Sequence, residues 1–232
     1  MTTKPATIVY PETDGMPLPD GAHQAPLYSK VNRELDVYFQ DATHTIVNGN
    51  TLIYHIEGDP RRSVAPDCFV IFDVSDEALE SIERHNTHLL WEIGKAPDFV
   101  LEIGSKSTAA DDLGRKRDLY AELGVREYWR YDATGGDFYG EGLVGEYLVD
   151  GKYRRLEMYV GADGRAWGRS EVLGLDVWWS EDGVRFWDRE SETWLLSQEE
   201  ERAGRLEAEA RARVAEARTA ELEAELRRLR GE

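Results

Sequence analysis

The N-terminal part of the chain changes from a helical to an extended hydrophobic pattern. Val31, Leu35 and Tyr38 recur at the spacing of one face of an amphipathic helix. Residues 43–56, THTIVNGNTLIYHI, are rich in strand-forming residues on both sides of the Asn-Gly-Asn sequence at 48–50. Such a turn signal between two extended segments predicts a β-hairpin. We therefore expect a helix followed by two paired strands.

Two short apolar runs, each introduced by a proline, predict the central strands of a sheet. They are APDCFVIFDVS at residues 65–75 and APDFVLEIGS at residues 96–105. After the second run, Thr108 as N-cap and Gly124 as terminator bound a further predicted helix. The segment VREYWRYD at residues 125–132 then predicts another strand.

The C-terminal part predicts hairpins and then one long helix. Beyond Asp132, strand-forming residues surround Asp-Gly turns, and five of the seven tryptophans lie within 167–194, where we interpret them as sheet packing. Residues 197–232 are an Ala, Glu, Arg and Leu tract without proline, which predicts a polar helix with a weak apolar stripe. Self-association of this helix as a coiled coil would give a homodimer. We thus expect a folded domain over residues 1–196, with residues 1–26 as an irregular arm, followed by the charged helix.

Composition indicates which class of protein the chain belongs to and which partners it can bind. With 41% hydrophobic residues in 232, the chain can bury a core of ordinary size. It has no run of eighteen apolar residues and no signal sequence, which predicts a cytoplasmic protein with no membrane partner. Cys68 is the single cysteine, so an internal disulfide and a cysteine metal cluster are excluded. The formal net charge of −18 opposes loose binding to nucleic acid, so a polyanion has to be held locally.

Glu102 is a carboxylate in the middle of an apolar strand pattern. Alternation along the strand places Asp98 and Glu102 on one face and Phe99 and Leu101 on the other. A buried carboxylate needs a partner, and Asp67 at the start of the preceding strand would be a second acid close by. Two such acids repel unless they share a proton or a divalent metal. Because Asp67 and Asp98 each follow a proline, an ordinary turn or cap role is the alternative for either one.

Asp112, Lys116 and Tyr120 lie at four-residue spacing on the helix that follows, so they share one stripe of its surface. An exposed Asp112 to Lys116 pair would contribute only about 0.3–0.5 kcal/mol to stability. The connection GSKST is short, however, and lets this stripe return over the strand end where Glu102 lies. Lys116 could then neutralise charge on a phosphate, or orient an attacking water beside a metal.

The order of these elements, with acids on two strands and a lysine on the next helix, resembles the core of the PD-(D/E)XK nuclease superfamily. More closely, PDFVLEIGSKST, DDLGRKRDLYAELGVREYWRYD and SEVLGLDVWW are similar to motifs of the Uma family of putative restriction endonucleases, over about residues 20–195. The expected fold class is therefore α/β. We expect a restriction-endonuclease-like mixed β-sheet core flanked by helices, with added C-terminal β-hairpins and a long C-terminal helix.

The resemblance also implies a metal site and a nucleic-acid partner. Asp67, Glu102 and the backbone carbonyl of Ile103 would bind Mg²⁺ or Mn²⁺, with Glu34 on the first helix as an additional ligand. The partner would be DNA. Asp98, Asp112 and Tyr120 are further candidates for the site.

One departure from the superfamily pattern concerns the catalytic lysine. The pattern places lysine two residues after the second acid, where this chain has Gly104. Lys116 on the helix is the substitute, and Lys106 in the loop is the alternative. The leading hypothesis is a metal-dependent endonuclease that hydrolyses DNA phosphodiester bonds with Asp67, Glu102 and Lys116 as catalytic residues. The alternative is a catalytically inactive nuclease-like fold that serves as a binding or assembly module.

Overall fold

The computed structural model describes residues 9–12 and 21–230, which contain six helices and fourteen strands. The helices are α1 (Gly21–Tyr38), α2 (Asp76–His85), α3 (Leu90–Ile93), α4 (Ala109–Leu113), α5 (Arg115–Leu123) and α6 (Gln198–Arg230). The strands are β1 (Ile46–Asn48), β2 (Ile53–Tyr54), β3 (Ser63–Val64), β4 (Cys68–Ile71), β5 (His88–Leu89), β6 (Phe99–Ile103), β7 (Glu127–Tyr131), β8 (Leu143–Val149), β9 (Lys152–Arg155), β10 (Met158–Val160), β11 (Ala166–Ser170), β12 (Leu175–Trp178), β13 (Arg185–Asp188) and β14 (Thr193–Trp194). The chain divides into two compact units, Met1–Leu195 and Leu196–Glu232.

The first unit is built around a six-stranded sheet in the order β1-β4-β6-β7-β8-β9. Strands β6 and β7 are parallel and the other neighbours in this sheet are antiparallel, so the sheet is mixed. Strands β10 to β14 follow one another in a second, antiparallel sheet, and β3-β2-β5 form a third, small sheet. The expected α/β fold, with its mixed core, C-terminal hairpins and long C-terminal helix, is confirmed.

Strand β6 separates two apolar cores, because its side chains alternate between the faces of the central sheet. Phe99, Leu101 and Ile103 belong to the cluster that we call the first core, together with Trp129 of β7. Val100 belongs to the cluster on the opposite face, the second core, which also contains Phe69, Tyr120 and Tyr128. The predicted division of β6 into two faces is therefore confirmed, and Glu102 lies on the second-core face.

The predicted hairpin around residues 48–50 is wrong. Strand β1 pairs with β4 in the central sheet, whereas β2 pairs with β3 and β5 in the small sheet. The turn between them is packed against the start of β4: the N–H of Asn50 donates to the carbonyl of Pro66, and a Cβ at Gly49 would lie 2.0 Å from the carbonyl oxygen of Asp67. This long-range contact turns the chain from one sheet to the next instead of folding it back on itself.

The helix predicted from Thr108 to Gly124 is interrupted. Gly114, with φ −120° and ψ −97°, separates α4 from α5. Thr108 is the N-cap of α4, but its side chain makes no capping hydrogen bond; instead Ser105 Oγ accepts a 3.2 Å bond from the Thr108 N–H. At the other end, Gly124 terminates α5 with φ 86°, as the sequence predicts.

The tryptophans of the second sheet pack on its outer face, as the sequence analysis interprets them. Tyr159, Trp167 and Trp178 stack across β10, β11 and β12 with ring centroids 4.6 and 5.3 Å apart. Trp194 of β14 meets the edge of Trp178 at 5.5 Å. Their strand neighbours on the opposite face, such as Val177, enter the first core.

The predicted N-terminal arm lies mostly outside the described residues, since residues 1–8 and 13–20 are not among them. Its last six residues, from Gly21, are helical and belong to α1. Ala22, Gln24 and Ala25 have high helix propensity, which favours this extension of the helix.

Helix α6 forms most of the second unit. The Oγ of Ser197 accepts from the Glu200 N–H, and the Glu200 carboxylate accepts from the Ser197 N–H, which is a capping box. Leu206, Val214 and Leu226 on its stripe are exposed. Self-association through this stripe remains a prediction. In the described part of the chain, no helix combines the length and the apolar character needed to span a bilayer.

Candidate active site

Asp67 and Glu102 lie side by side on adjacent strands. Strands β4 and β6 are antiparallel with Cys68 opposite Leu101, so the next step of the register sets Asp67 beside Glu102. Asp67 lies within hydrogen-bonding reach of Glu102, and its Oδ2 accepts a 2.7 Å bond from the backbone N–H of Ile103. The geometric expectation that the two carboxylates converge is confirmed.

Lys116 reaches the same place from the helix. Its Nζ lies 3.0 Å from Glu102 Oε2 and 2.9 Å from Asp112 Oδ1. The hydroxyl of Tyr120 donates a 2.6 Å bond to Glu102 Oε1. Glu102 is 1% exposed and the side chain of Lys116 is 12% exposed. The idea of an exposed Asp112 to Lys116 pair is therefore wrong, and the stripe seen in the sequence faces Glu102.

Three carboxylates share this site with one lysine. Burial raises the pKa of Asp67, and the N–H of Ile103 and the charge of Lys116 only partly offset it. The pKa of Glu102 is raised to about 8, chiefly by burial. The attraction of Lys116 opposes this rise, and the repulsion from Asp67 and Asp112 adds to it. Burial lowers the pKa of Lys116, but the carboxylates of Glu102 and Asp112 outweigh that effect and raise it. The site thus has three acids for one lysine, so Glu102 stays protonated up to about pH 8 without metal, and a bound cation would favour its ionised form.

These shifts predict a pH dependence of stability in the absence of metal. Between the ordinary value of 4.5 and about 8, folded Glu102 keeps its proton while the unfolded chain has lost it, so raising the pH destabilises the folded state. The raised pKa of Lys116 costs nothing in this window, because that lysine is protonated in both states. We expect the melting temperature to fall from about pH 5 to about pH 9 more steeply for the wild type than for Glu102→Gln, measured by calorimetry in chelator.

Added Mg²⁺ is expected to reduce this difference, because a cation that binds only the folded state raises its stability. Equal slopes for the two proteins in chelator would contradict the prediction.

The donor chemistry of the site fits a hard divalent cation. Asp67 and Glu102 offer carboxylate oxygens, and the backbone of Ile103 lies next to both. Within residues 9–12 and 21–230, no three acidic, histidine or cysteine side chains form a ready-made metal cage. Mg²⁺ does not need one, since it commonly takes one or two carboxylates and keeps several waters. The donor set of Asp67 and Glu102 therefore fits a Mg²⁺ or Mn²⁺ ion that keeps several of its waters.

Asp98 lies on the same face of the sheet but far from the site. It precedes β6, four residues before Glu102, which corresponds to about 13 Å along the strand. Its Oδ2 accepts from Lys95 Nζ at 2.7 Å and from the Phe72 N–H at 2.9 Å, and Arg126 lies 3.6 Å from its Oδ1. These contacts match the capping alternative, and the structure does not bring Asp98 together with Asp67 and Glu102.

Glu34 and Lys106 are the two remaining candidates from the sequence. Glu34 is buried on α1 beside Val31 and Leu35, which belong to the first core on the other face of the central sheet. Lys106 is exposed in the turn after β6. Their assignments as an additional metal ligand and as an alternative catalytic lysine remain predictions.

The position of Gly104 is explained by a residue that the sequence analysis missed. A Cβ at Gly104 would lie 2.9 Å from Cε2 of Tyr139 and 3.4 Å from Cδ2 of Phe138. These rings fill the space into which a lysine at this position would project. Tyr139 comes from the glycine-rich segment 132–142, and its hydroxyl donates a 2.7 Å bond to Asp112 Oδ2. The ammonium group beside Glu102 comes instead from Lys116 of α5.

Helix α5 is fixed over the site by a second set of ion pairs that sequence reasoning also missed. Arg117 donates from Nε and Nη2 to the two carboxylate oxygens of Glu146, at 2.9 and 2.8 Å. Arg130 of β7, the register partner of Glu102, donates to Glu146 Oε2 at 2.7 Å and lies over the ring of Tyr128. This network joins α5 to β7 and β8 and so sets the height of Lys116 above Glu102.

Comparison with known proteins identifies one family. Residues 12–190 match the family model described as "Uma2: Putative restriction endonuclease". A solved structure of a putative nuclease belonging to DUF820, from Anabaena variabilis ATCC 29413, is similar at 15% sequence identity with a TM-score of 0.41, and the similarity covers 66% of this chain and 80% of that chain. No curated protein matches. Because the family model spans well over half of the sequence, the chain belongs to the Uma2 family of putative restriction endonucleases.

Proposed function

We propose that this chain is a metal-dependent endonuclease that hydrolyses phosphodiester bonds of DNA. The observation that carries the proposal is the convergence of Asp67, Glu102 and Lys116 on one nearly enclosed site. Two carboxylates beside one lysine can hold a cation and balance the charge that develops on a phosphoryl group. The family description supports DNA as the substrate, since restriction endonucleases act on DNA.

Each carboxylate has one oxygen fixed by the protein. Oδ2 of Asp67 is held by the Ile103 N–H, and Oε1 of Glu102 is held by the hydroxyl of Tyr120. The oxygens are thereby oriented before substrate arrives, so little reorganisation is needed during the reaction. The amine of Lys116, between Glu102 and Asp112, is the group that would donate to a phosphate oxygen or to the attacking water.

Asp67, Glu102 and the backbone carbonyl of Ile103 are the groups that would hold Mg²⁺ or Mn²⁺. A bound divalent ion supplies Lewis-acid activation of the phosphoryl oxygen and of the water. The excess of acids at the site supports this assignment, because Lys116 alone does not hold the pKa values of Asp67 and Glu102 at their ordinary level.

DNA has to approach a protein whose formal net charge is −18. The bases near the site are largely neutralised within the chain, since Arg115 pairs with Asp111 and Arg117 pairs with Glu146. Binding therefore depends on local contacts at the site and on the divalent ion rather than on a broad basic surface.

The test is cleavage of supercoiled plasmid and of short duplexes with Mg²⁺, with Mn²⁺ and with chelator. We expect nicked or linear products with at least one of the two ions, no products with chelator, and recovery when metal is restored. If neither ion supports cleavage while the chain remains folded, the proposal is wrong. The chain is then better described as a nuclease-like binding or assembly module.

A further inference from the structure

The segment 132–142 has a fixed shape that is imposed by one buried carboxylate. Asp132 Oδ1 accepts from the N–H and the hydroxyl of Thr134, at 2.9 and 2.6 Å. Its Oδ2 accepts from the N–H groups of Phe138 and Tyr139, at 2.7 and 3.3 Å. The fold of the segment also needs Gly136, whose φ is 144° and where a Cβ would lie 3.0 Å from the backbone of Gly140. The position of Tyr139 is thus set by its own segment.

Tyr139 projects from this segment into the catalytic site. It is 9% exposed, and its ring rests against the backbone of Gly104, two residues after Glu102. Its hydroxyl donates to Oδ2 of Asp112, while Oδ1 of Asp112 is 2.9 Å from the amine of Lys116. The two oxygens of Asp112 therefore have different partners, and the bond from Tyr139 fixes the rotation of the carboxylate that Lys116 contacts.

We propose that Tyr139 is a positioning residue, which holds Asp112 so that Lys116 is directed at Glu102 and at the bound phosphate. This inference rests on the proposed nuclease function and adds a residue that the sequence pattern of acids and lysine does not contain. Without the hydroxyl, one oxygen of the buried Asp112 loses its donor. The carboxylate then turns toward the remaining donor, Lys116, and draws the amine away from Glu102.

The experiment compares Tyr139→Phe with Tyr153→Phe. The first change removes the hydroxyl and keeps the ring against Gly104. The second is a matched control, because Tyr153 is also buried and its hydroxyl donates a 2.9 Å bond to the carbonyl of Val125, away from Asp112. For each variant we measure the melting temperature and the kcat and KM for duplex cleavage with Mn²⁺. We also follow the rate at which acetic anhydride modifies Lys116 in the folded protein, using mass spectrometry.

We expect Tyr139→Phe to lower kcat by about 10-fold with KM changed by less than about 2-fold, as loss of a supporting hydrogen bond does at other sites. We also expect acetylation of Lys116 to become several-fold slower in this variant only, because an Asp112 carboxylate that has lost its other donor binds the ammonium more tightly and leaves less free amine to react. Tyr153→Phe should lower the melting temperature and leave kcat and the acetylation rate at their wild-type values.

A failure of the Tyr139 proposal can be distinguished from a failure of the proposed nuclease function. Wild-type protein that cleaves no DNA refutes the proposed function, and the acetylation rate then decides the role of Tyr139 alone. Unchanged kcat and acetylation in Tyr139→Phe, with a loss of stability like that of Tyr153→Phe, would show a purely structural role. A lower kcat with unchanged acetylation would overturn the route through Lys116.

Discussion

Glu102→Gln is expected to lower the rate of DNA cleavage by about 10³-fold or more and to weaken Mn²⁺ binding. The glutamine keeps the volume of the side chain and leaves an oxygen for the hydroxyl of Tyr120, which now lies 2.6 Å from Glu102 Oε1. It removes the negative charge that a divalent ion needs between Asp67 and Lys116. Plasmid cleavage and calorimetric titration with Mn²⁺ measure the two effects.

The matched control for this change is Glu127→Gln. Glu127 is also a buried carboxylate, one strand away, and it accepts from Ser170 Oγ at 2.6 Å and from Trp129 Nε1 at 3.0 Å. It faces the first core, on the opposite side of the sheet from Glu102. We expect this variant to lose stability and to retain cleavage and Mn²⁺ affinity. Cleavage by Glu102→Gln at the wild-type rate would refute the active-site assignment.

Local sequence patterns predicted those parts of the site that lie within one element or across one short connection. The two-residue period of β6 gave the opposite faces of Leu101 and Glu102, because alternation is a property of any extended strand. The four-residue spacing of Lys116 and Tyr120 gave their common direction, because it follows from the geometry of any α-helix.

Contacts between distant segments account for what the sequence did not reveal. Tyr139 lies 27 residues from Asp112, and no periodicity links them. The turn at Gly49 carries an ordinary hairpin signal, and only the approach of the Asp67 carbonyl shows why it leads into another sheet. Asp98 has the same Pro-Asp sequence as Asp67, yet it lies beside Lys95 and Arg126, whereas Asp67 lies beside Glu102. Identical local signals thus lead to different tertiary surroundings.

Lys116→Met is expected to lower kcat for DNA cleavage by about 10²-fold, as loss of one group that stabilises charge in the transition state does in other enzymes. Methionine keeps most of the length and removes the amine that lies 3.0 Å from Glu102 and 2.9 Å from Asp112. Mn²⁺ binding should persist, because both proposed carboxylate ligands remain.

The same change is also expected to destabilise the metal-free protein, by about 3 kcal/mol at pH 8, because it leaves buried acids without their cation. Protonation of Glu102 at lower pH, or binding of Mg²⁺, should restore part of this loss. Denaturant unfolding at two pH values, with and without Mg²⁺, measures the effect.

Arg115→Met on the same helix separates a catalytic role of Lys116 from a general effect of charge. Asp111 and Arg115 form an ion pair with the same four-residue spacing as Asp112 and Lys116, one residue earlier, but the side chain of Arg115 is 61% exposed. An exposed pair of this kind contributes about 0.3–0.5 kcal/mol, so this variant should retain its stability and its cleavage rate. Lys106→Met tests the alternative lysine in the same assay. A Lys116 variant that cleaves normally, beside a Lys106 variant that does not, would transfer the catalytic role to Lys106.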